Sequence, residues 1–215
     1  MVLRPEHRRQ GLGTRLLAEL ESQEAPSGTI LQCNSQTTWP DANAFLHHHG
    51  FEVTQIELLM RRSTLGPHVE PPAGISLRHA HERDDAAWIA LHQHGYSDLE
   101  DFSPLSAEDL EAERASPGFV LTVAEIDGTV VGLCHGLLLE HDEGLINSVV
   151  VHRDVRGRGL GAALTSAGIA RLASHGADRI SLNVHSDKKS AIGVYRKLGF
   201  IEYDRMLRYW RQLEM

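Results

Sequence analysis

The feature that most constrains this chain is a buried-strand pattern followed at once by a basic, glycine-rich turn. Val149, Val150 and Val151 form a β-branched apolar run, and the segment 156–161 then leads into a helix of small residues. Glycines let the backbone approach a ligand closely, and the first turn of a helix offers N–H groups and positive potential to an anion. The sequence therefore predicts a phosphate site where strand, turn and helix meet.

A second copy of this turn near the start of the chain narrows its interpretation. Taken alone, Gly157-x-Gly159-x-x-Ala162 fits a dinucleotide-binding fingerprint, but the first copy has Arg9 where the second has Gly157. Both copies instead keep Arg-x-x-Gly-x-Gly after a strand, and an ordinary tight turn is the remaining alternative. The matched positions are Arg8, Gly11 and Gly13 in the first copy and Arg156, Gly159 and Gly161 in the second.

The repeat extends beyond the turn and predicts the domain organisation. Residues 42–51 have the layout of residues 191–200, about 149 positions later. The first copy, 1–62, is expected to contain the strand at 2–3, a helix after the loop, a strand at 29–33, a short helix capped by Asp41, and then strands at 51–54 and 56–61. Residues 63–74 break all periodicity and are predicted to be a linker. The second copy, 75–215, gives the order β-α-α-β-β-β-α-β-α-β-β.

Composition and charge exclude several classes of protein. The net charge of −8 disfavours general attraction to nucleic acid or an anionic membrane. The absence of a long apolar run and of a leader pattern predicts a cytoplasmic protein without a membrane partner. Cys33 and Cys134 lack the spacing of a metal site, and three consecutive histidines at 47–49 cannot converge on one ion, so no metal is expected.

The element order, the glycine loop after the fourth strand and Tyr195-x-x-x-Gly199-Phe200 together resemble the GNAT superfamily of acyl-CoA N-acyltransferases. The resemblance covers the whole second copy, and the first copy only from the fourth strand onward. It therefore implies a tandem GNAT arrangement like that of mycothiol synthases, with a shortened first repeat. The implied fold is α/β (α+β), with two GNAT-type mixed β-sheets flanked by helices, the N-terminal one incomplete.

The resemblance also implies which residues bind acetyl-CoA, the expected co-substrate. In the family the fourth strand pairs with the pantetheine arm, and loop amides hold the pyrophosphate. Tyr195 is implied as the general acid for the departing thiolate, whereas the first copy has Leu46 at that position and is expected to be degenerate. The implied contacts are Val149, Val150, Val151, Arg156, Gly157, Arg158, Gly159, Leu160, Gly161, Ala162, Ser190 and Tyr195.

The general base is the point at which the sequence departs from the family. A glutamate is common on the fourth strand where this chain has Asn147, which cannot accept a proton. Glu143 is therefore the candidate base, with His135 as a second choice, and otherwise the acceptor arrives deprotonated.

The expected function is transfer of an acetyl group from acetyl-CoA to a primary amine of a small-molecule or peptide acceptor. A non-catalytic acyl-CoA-binding protein and a structural dimerisation module are the alternatives, and a homo-oligomer is left open.

Overall fold

The chain contains both helices and strands, and two of its regions are runs of consecutive strands. The structure, a computed structural model, describes residues 3–22, 28–97, 102–116 and 118–213. The elements in chain order are α1 (Leu12–Ser22), β1 (Ile30–Gln36), α2 (Pro40–His48), β2 (Glu52–Ser63), β3 (Ser76–His79), α3 (Asp85–Tyr96), α4 (Ala107–Ala115), β4 (Val120–Ile126), β5 (Thr129–Leu138), β6 (Glu143–Val151), α5 (Leu160–Ser174), β7 (Arg179–His185), α6 (Lys189–Lys197) and β8 (Ile201–Gln212).

The chain folds into two compact units, one of which combines two segments that are far apart in the sequence. One, the first unit, combines residues 1–56 with 206–215, and the other, the second unit, contains residues 57–205. The unit boundaries fall inside β2 and inside β8, so each of these strands contributes to both units. The boundaries predicted for the repeats, at 62 and 75, describe the sequence copies and stay a prediction.

The second unit contains a mixed sheet in the order β2-β7-β6-β5-β4-β3. Its neighbours are antiparallel except β6 and β7, which run parallel. Helix α5 packs on this sheet through a face of small residues. A Cβ added at Gly168 would lie 2.5 Å from the Cys134 sulfur, so only glycine permits this approach of helix to strand. Leu133, Leu164 and Ile180 are fully buried in this unit.

The first unit is smaller and is built around one tyrosine. β1 pairs antiparallel with β8, and the buried side chains of Leu17, Phe51 and Tyr209 form a common apolar cluster. The Tyr209 hydroxyl donates a hydrogen bond to Asn43 Oδ1 at 3.3 Å. The C-terminal strand of the chain thus completes the core that the N-terminal residues begin.

The two copies exchange their last strands with matching register. In the first unit Ile30 of β1 lies opposite Gln212 of β8, and in the second unit Arg179 of β7 lies opposite Ser63 of β2. β1 and β7 are equivalent in the repeat, as are β2 and β8, so each copy's last strand pairs with the other copy's equivalent of β7. Each predicted pair of final strands is in fact one continuous strand, β2 or β8, and each contributes residues to both units.

Local differences from the predictions concern the start of the first copy. Helix α2 begins at Pro40 after Trp39 and has no side-chain cap, so Asp41 lies inside the helix and does not cap it. Of the strand predicted at 2–3 to enter the first loop, residue 2 lies outside the described residues, and Leu3 is not in a strand.

Tyr209→Ala should lower the free energy of unfolding by about 3–5 kcal/mol, because it empties the core of the first unit. Tyr209 is 0% exposed, whereas Tyr203 on the same strand is 43% exposed and provides a matched control. Tyr203→Ala should cost about 1 kcal/mol or less. Urea denaturation followed by circular dichroism measures both, and equal losses would show that Tyr209 does not anchor a core.

Candidate functional site

A cleft opens between β6 and β7 in the second unit. The two parallel strands pair from Glu143 opposite Arg179 to Ile146 opposite Leu182, and beyond that point they no longer pair with each other, although each still pairs with its other neighbour, β5 or β2. The separated segments 147–151 and 183–185 line a cleft of about 1320 Å³. Separation of two parallel strands therefore opens a groove in which backbone N–H and C=O groups are available to a ligand.

A β-bulge lies where the cleft begins. The pairing of β5 with β6 shifts between His135 opposite Ser148 and Gly136 opposite Ile146, which leaves Asn147 as the extra residue. Asn147 is exposed and lines the cleft. A bulge bends its strand and redirects a side chain, so it turns Asn147 toward the groove.

The glycine loop closes one end of the cleft. Gly157 and Gly159 have φ of 78° and 86°, and a Cβ added at either would meet no atom within 4 Å. Arg156 Nε donates to Val151 O at 2.9 Å and fixes the loop to the end of β6. Helix α5 then starts at Leu160, and the described hydrogen bonds of its first turn provide no acceptor for the N–H groups of Leu160 and Gly161.

The charges along the cleft are mostly positive. Asp187 is the single carboxylate among the described residues that line it. The cations are the side chains of Arg153, Arg156, Lys188 and Lys189. This charge balance and the first turn of α5 favour an anionic ligand.

Two tyrosines lie at the inner part of the cleft. Tyr195 on α6 is half-buried, and burial, followed by the nearby Tyr96 and Cys134, raises its pKa above the ordinary value of a phenol. The Tyr96 hydroxyl lies 3.0 Å from Ser148 Oγ and accepts the N–H of Val149, while burial raises its pKa. Both phenols are therefore protonated at neutral pH.

The structure brings most of the predicted site residues together. Val149 to Val151, Arg156, Gly157, Gly159 to Ala162, Ser190 and Tyr195 all line the cleft. Arg158 is not among the described lining residues, and neither is Glu143, which lies at the start of β6 with its carboxylate 3.6 Å from Arg179 Nη2. His135 lies on β5, the neighbour of β6, and is 2% exposed. The roles of these residues stay predictions.

Sequence reasoning missed the contribution of α3. His92, His94 and Tyr96 line the cleft from this helix, and Nδ1 of His92 is buried with no hydrogen-bond partner among the described residues. Burial lowers the pKa of His92. The one sequence feature that could have indicated this contribution is the run His92-x-His94-Gly95-Tyr96, which is rich in polar aromatic side chains. This run does not show which strand α3 packs against.

The loop of the first unit has the same backbone geometry but a different neighbour. Arg8 Nε donates to Leu3 O at 3.2 Å, as Arg156 does to Val151, and Gly11 has a φ of 75°. However, a Cβ at Gly13 would lie 3.1 Å from the Phe45 ring, whereas at Gly161 the nearest atom is 3.9 Å away. The aromatic ring therefore occupies the space beside the first loop.

Two searches of the described residues bear on metals and membranes. No group of three or more His, Cys, Asp or Glu side chains there is arranged to hold a metal ion. None of the helices in the described ranges combines the length and apolar character needed to cross a membrane.

Comparison with known proteins identifies the family. Residues 80–200 match the profile of the Acetyltransferase (GNAT) family, and residues 1–53 match that of an Acetyltransferase (GNAT) domain. The chain belongs to the GNAT acetyltransferase family. The predicted family, the fold class, the acetyltransferase class and acetyl-CoA as the donor of this family are thereby confirmed, and the two matches confirm the tandem arrangement.

Relatives of this GNAT protein include proteins named mycothiol acetyltransferase. The one from Frankia casuarinae is 32% identical over 97% of the chain and 66% of its own length. The one from Thermobispora bispora is 33% identical over 98% of the chain and 75% of its own length. The chain thus spans about two thirds to three quarters of these relatives.

Solved structures share the fold. A GCN5-related N-acetyltransferase from Sphaerobacter thermophilus has a TM-score of 0.77 at 23% identity, over 98% of this chain and 72% of that one. A tandem GNAT protein from the clavulanic acid biosynthesis pathway has a TM-score of 0.79 at 22% identity, over 98% and 73%.

Proposed function

We propose that the second repeat, residues 75–215, transfers an acetyl group from acetyl-CoA directly to a primary amine of a small-molecule acceptor. The observation that supports this most is the cleft between the separated ends of β6 and β7, with a glycine loop at its end and a tyrosine inside it. The names of the relatives suggest a mycothiol-related amine as the first acceptor to try, and a peptide amine is the second.

The residues along the cleft fit acetyl-CoA. The open space at Gly157 and Gly159 allows phosphate oxygens to reach the backbone, and the N–H groups of Leu160 and Gly161 can bind them. Arg156 adds positive charge to this site, and the free edge of Val149 to Val151 offers backbone groups to the pantetheine amides. Ser190, at the start of α6, also lines the cleft.

Tyr195 is the residue that we propose as general acid. When bound, acetyl-CoA supplies the acetyl group as a thioester and releases CoA as a thiolate. Tyr195 Oη holds a proton at neutral pH because burial raises its pKa. It can therefore donate that proton but cannot act as the base for the acceptor.

The cleft offers no carboxylate where the family commonly has its base. Asn147 takes that position, and the carboxylate of Glu143 faces Arg179 at the far end of β6. Burial lowers the pKa of His135 to about 4, which makes it a weak base at neutral pH. We therefore propose that the acceptor binds as the free amine, the third of the alternatives left by the sequence.

Both cysteines are free thiols, which supports a reducing compartment, and we place the activity in the cytoplasm. The second candidate function is acyl-CoA binding without catalysis, and Asn147 at the position of the base favours it.

Thiol release by the pure protein with acetyl-CoA and a panel of primary amines separates the two functions. Cys134 is buried, which raises its pKa to about 12, so it should not react with the thiol reagent in the folded protein. A blank without acceptor corrects for Cys33. Release with at least one amine supports the enzyme, whereas ligand binding without release with any amine supports the second function.

Gly159→Glu should abolish the rise in melting temperature that acetyl-CoA produces, because the new carboxylate would face the phosphates and a side chain is strained at a φ of 86°. Gly11→Glu is a matched control, since Gly11 has a φ of 75° and equally open surroundings in the first loop. It should retain the full ligand-dependent shift. The opposite pattern would assign the donor site to the first unit.

Tyr195→Phe should reduce kcat about 10²-fold or more and leave the acetyl-CoA-dependent thermal shift intact, as expected on loss of a proton donor. Tyr203→Phe, which removes a hydroxyl outside the cleft, should keep wild-type turnover. Steady-state thiol release measures both variants. Wild-type kcat in Tyr195→Phe would exclude the proposed acid.

A further inference from the structure

Within the second unit, three polar side chains form a line that leads from the cleft, past a buried histidine, to a partly exposed glutamate. Asn147 Nδ2 lies 3.4 Å from His135 Nδ1, and His135 Nε2 lies 3.4 Å from Glu113 Oε2 on α4. Asn147 lines the cleft, His135 is 2% exposed on β5, and Glu113 is partly exposed. His135 Nε2 is buried and makes no hydrogen bond of good geometry within the described residues, so the Glu113 carboxylate is its available partner.

The surroundings of His135 keep its ring neutral. The rings of Trp88 and Phe119 lie 5.2 and 5.3 Å from it, between centroids. Burial lowers the pKa of His135 to about 4, and His92 on α3 adds to the effect. Arg114 on α4 lies over the two aromatic rings, and Glu113 is the carboxylate beside the ring. Near neutral pH His135 therefore has one N–H and one acceptor nitrogen.

Only one arrangement of protons satisfies all three side chains. Burial, followed by the nearby Asp109, raises the pKa of Glu113 from its ordinary value in the acid range. In its ionised form the Glu113 carboxylate accepts but cannot donate, so the proton of His135 then belongs on Nε2. Nδ1 must then accept, and the group of Asn147 that can donate to it is the NH₂. The reversed amide would need a proton on Nδ1 and would leave the lone pair of Nε2 facing the carboxylate. The charge of Glu113 thus sets the orientation of the Asn147 amide through His135.

We propose that Glu113 and His135 are positioning residues that hold Asn147 with its Oδ1 toward the cleft. There Oδ1 accepts a hydrogen bond from an N–H group of the acceptor amine. This inference rests on the proposed function and names the form of its substrate, a neutral primary amine with at least one N–H to donate. Asn147 takes no proton. It orients the nitrogen, and the proton that the nitrogen loses on acylation passes to solvent.

The first test reads the tautomer of His135 without requiring activity. In ¹⁵N NMR of histidine-labelled protein, His135 should be the neutral Nε2–H tautomer from about pH 6 to 9. Asn147→Asp should raise the pKa of His135, because a carboxylate beside Nδ1 favours a second proton there. An Nδ1–H tautomer in the wild type, or an unchanged pKa in Asn147→Asp, would overturn the arrangement.

The second test reads positioning of the acceptor. With acetyl-CoA and the panel amine that gives the fastest thiol release, His135→Phe should raise the acceptor KM at least tenfold and leave the acetyl-CoA-dependent thermal shift unchanged. His135→Asn can present an amide oxygen to Asn147 and should restore most of the loss. Trp88→Phe controls for packing and should lower stability without changing the acceptor KM. An unchanged KM in His135→Phe would refute the role.

A second variant tests the same proposal in case His135→Phe does not fold. Glu113→Gln removes the charge that selects the tautomer, so it should weaken both the tautomer preference and acceptor binding. If no panel amine releases thiol, the proposed function fails, while the tautomer measurement still decides whether the three side chains are arranged as argued.

Discussion

The candidate site of this protein depends on the point at which β6 and β7 stop pairing with each other. β6 and β7 form a parallel ladder over four residue pairs, from Glu143 to Ile146 on β6, and continue beyond it without each other. A parallel ladder normally satisfies the N–H and C=O groups of both strands, and beyond its end the facing backbone groups of β6 and β7 no longer pair with each other. The groove and the strand edges that line it follow from this interruption.

The bulge at Asn147 directly follows Ile146, the last residue of β6 that pairs with β7. An extra residue changes which side chains face the groove beyond it, so Ser148 is buried against Tyr96 while Asn147 is exposed. The polar side chains behind the bulge would be a cost in an ordinary core, since buried polar groups need partners. Here they form a chain of contacts that ends at the solvent near Glu113.

The sequence predicts well those features that short stretches determine. The glycine loops and the small-residue helix α5 depend on neighbours a few residues apart, and the structure contains them. The strand exchange could not be predicted, because β2 and β8 carry the same repeat pattern and either would suit either partner. The bulge and Tyr96 were missed for a related reason: both depend on pairing or packing between segments far apart in sequence. Glu143 was chosen as the base by its residue type, but its position on the strand places it outside the cleft-lining residues that the structure describes.

The exchange of strands also bears on how such a protein can change over evolutionary time. The first copy has Leu46 in place of a tyrosine, and a phenylalanine occupies the space beside its loop. Yet residues 57–63 of that copy form the strand that pairs with β7 in the second unit. Deleting the first copy would remove that strand as well, so selection for the second unit would preserve the first copy whatever its own loop binds. A duplicated gene that exchanges strands cannot easily return to a single one.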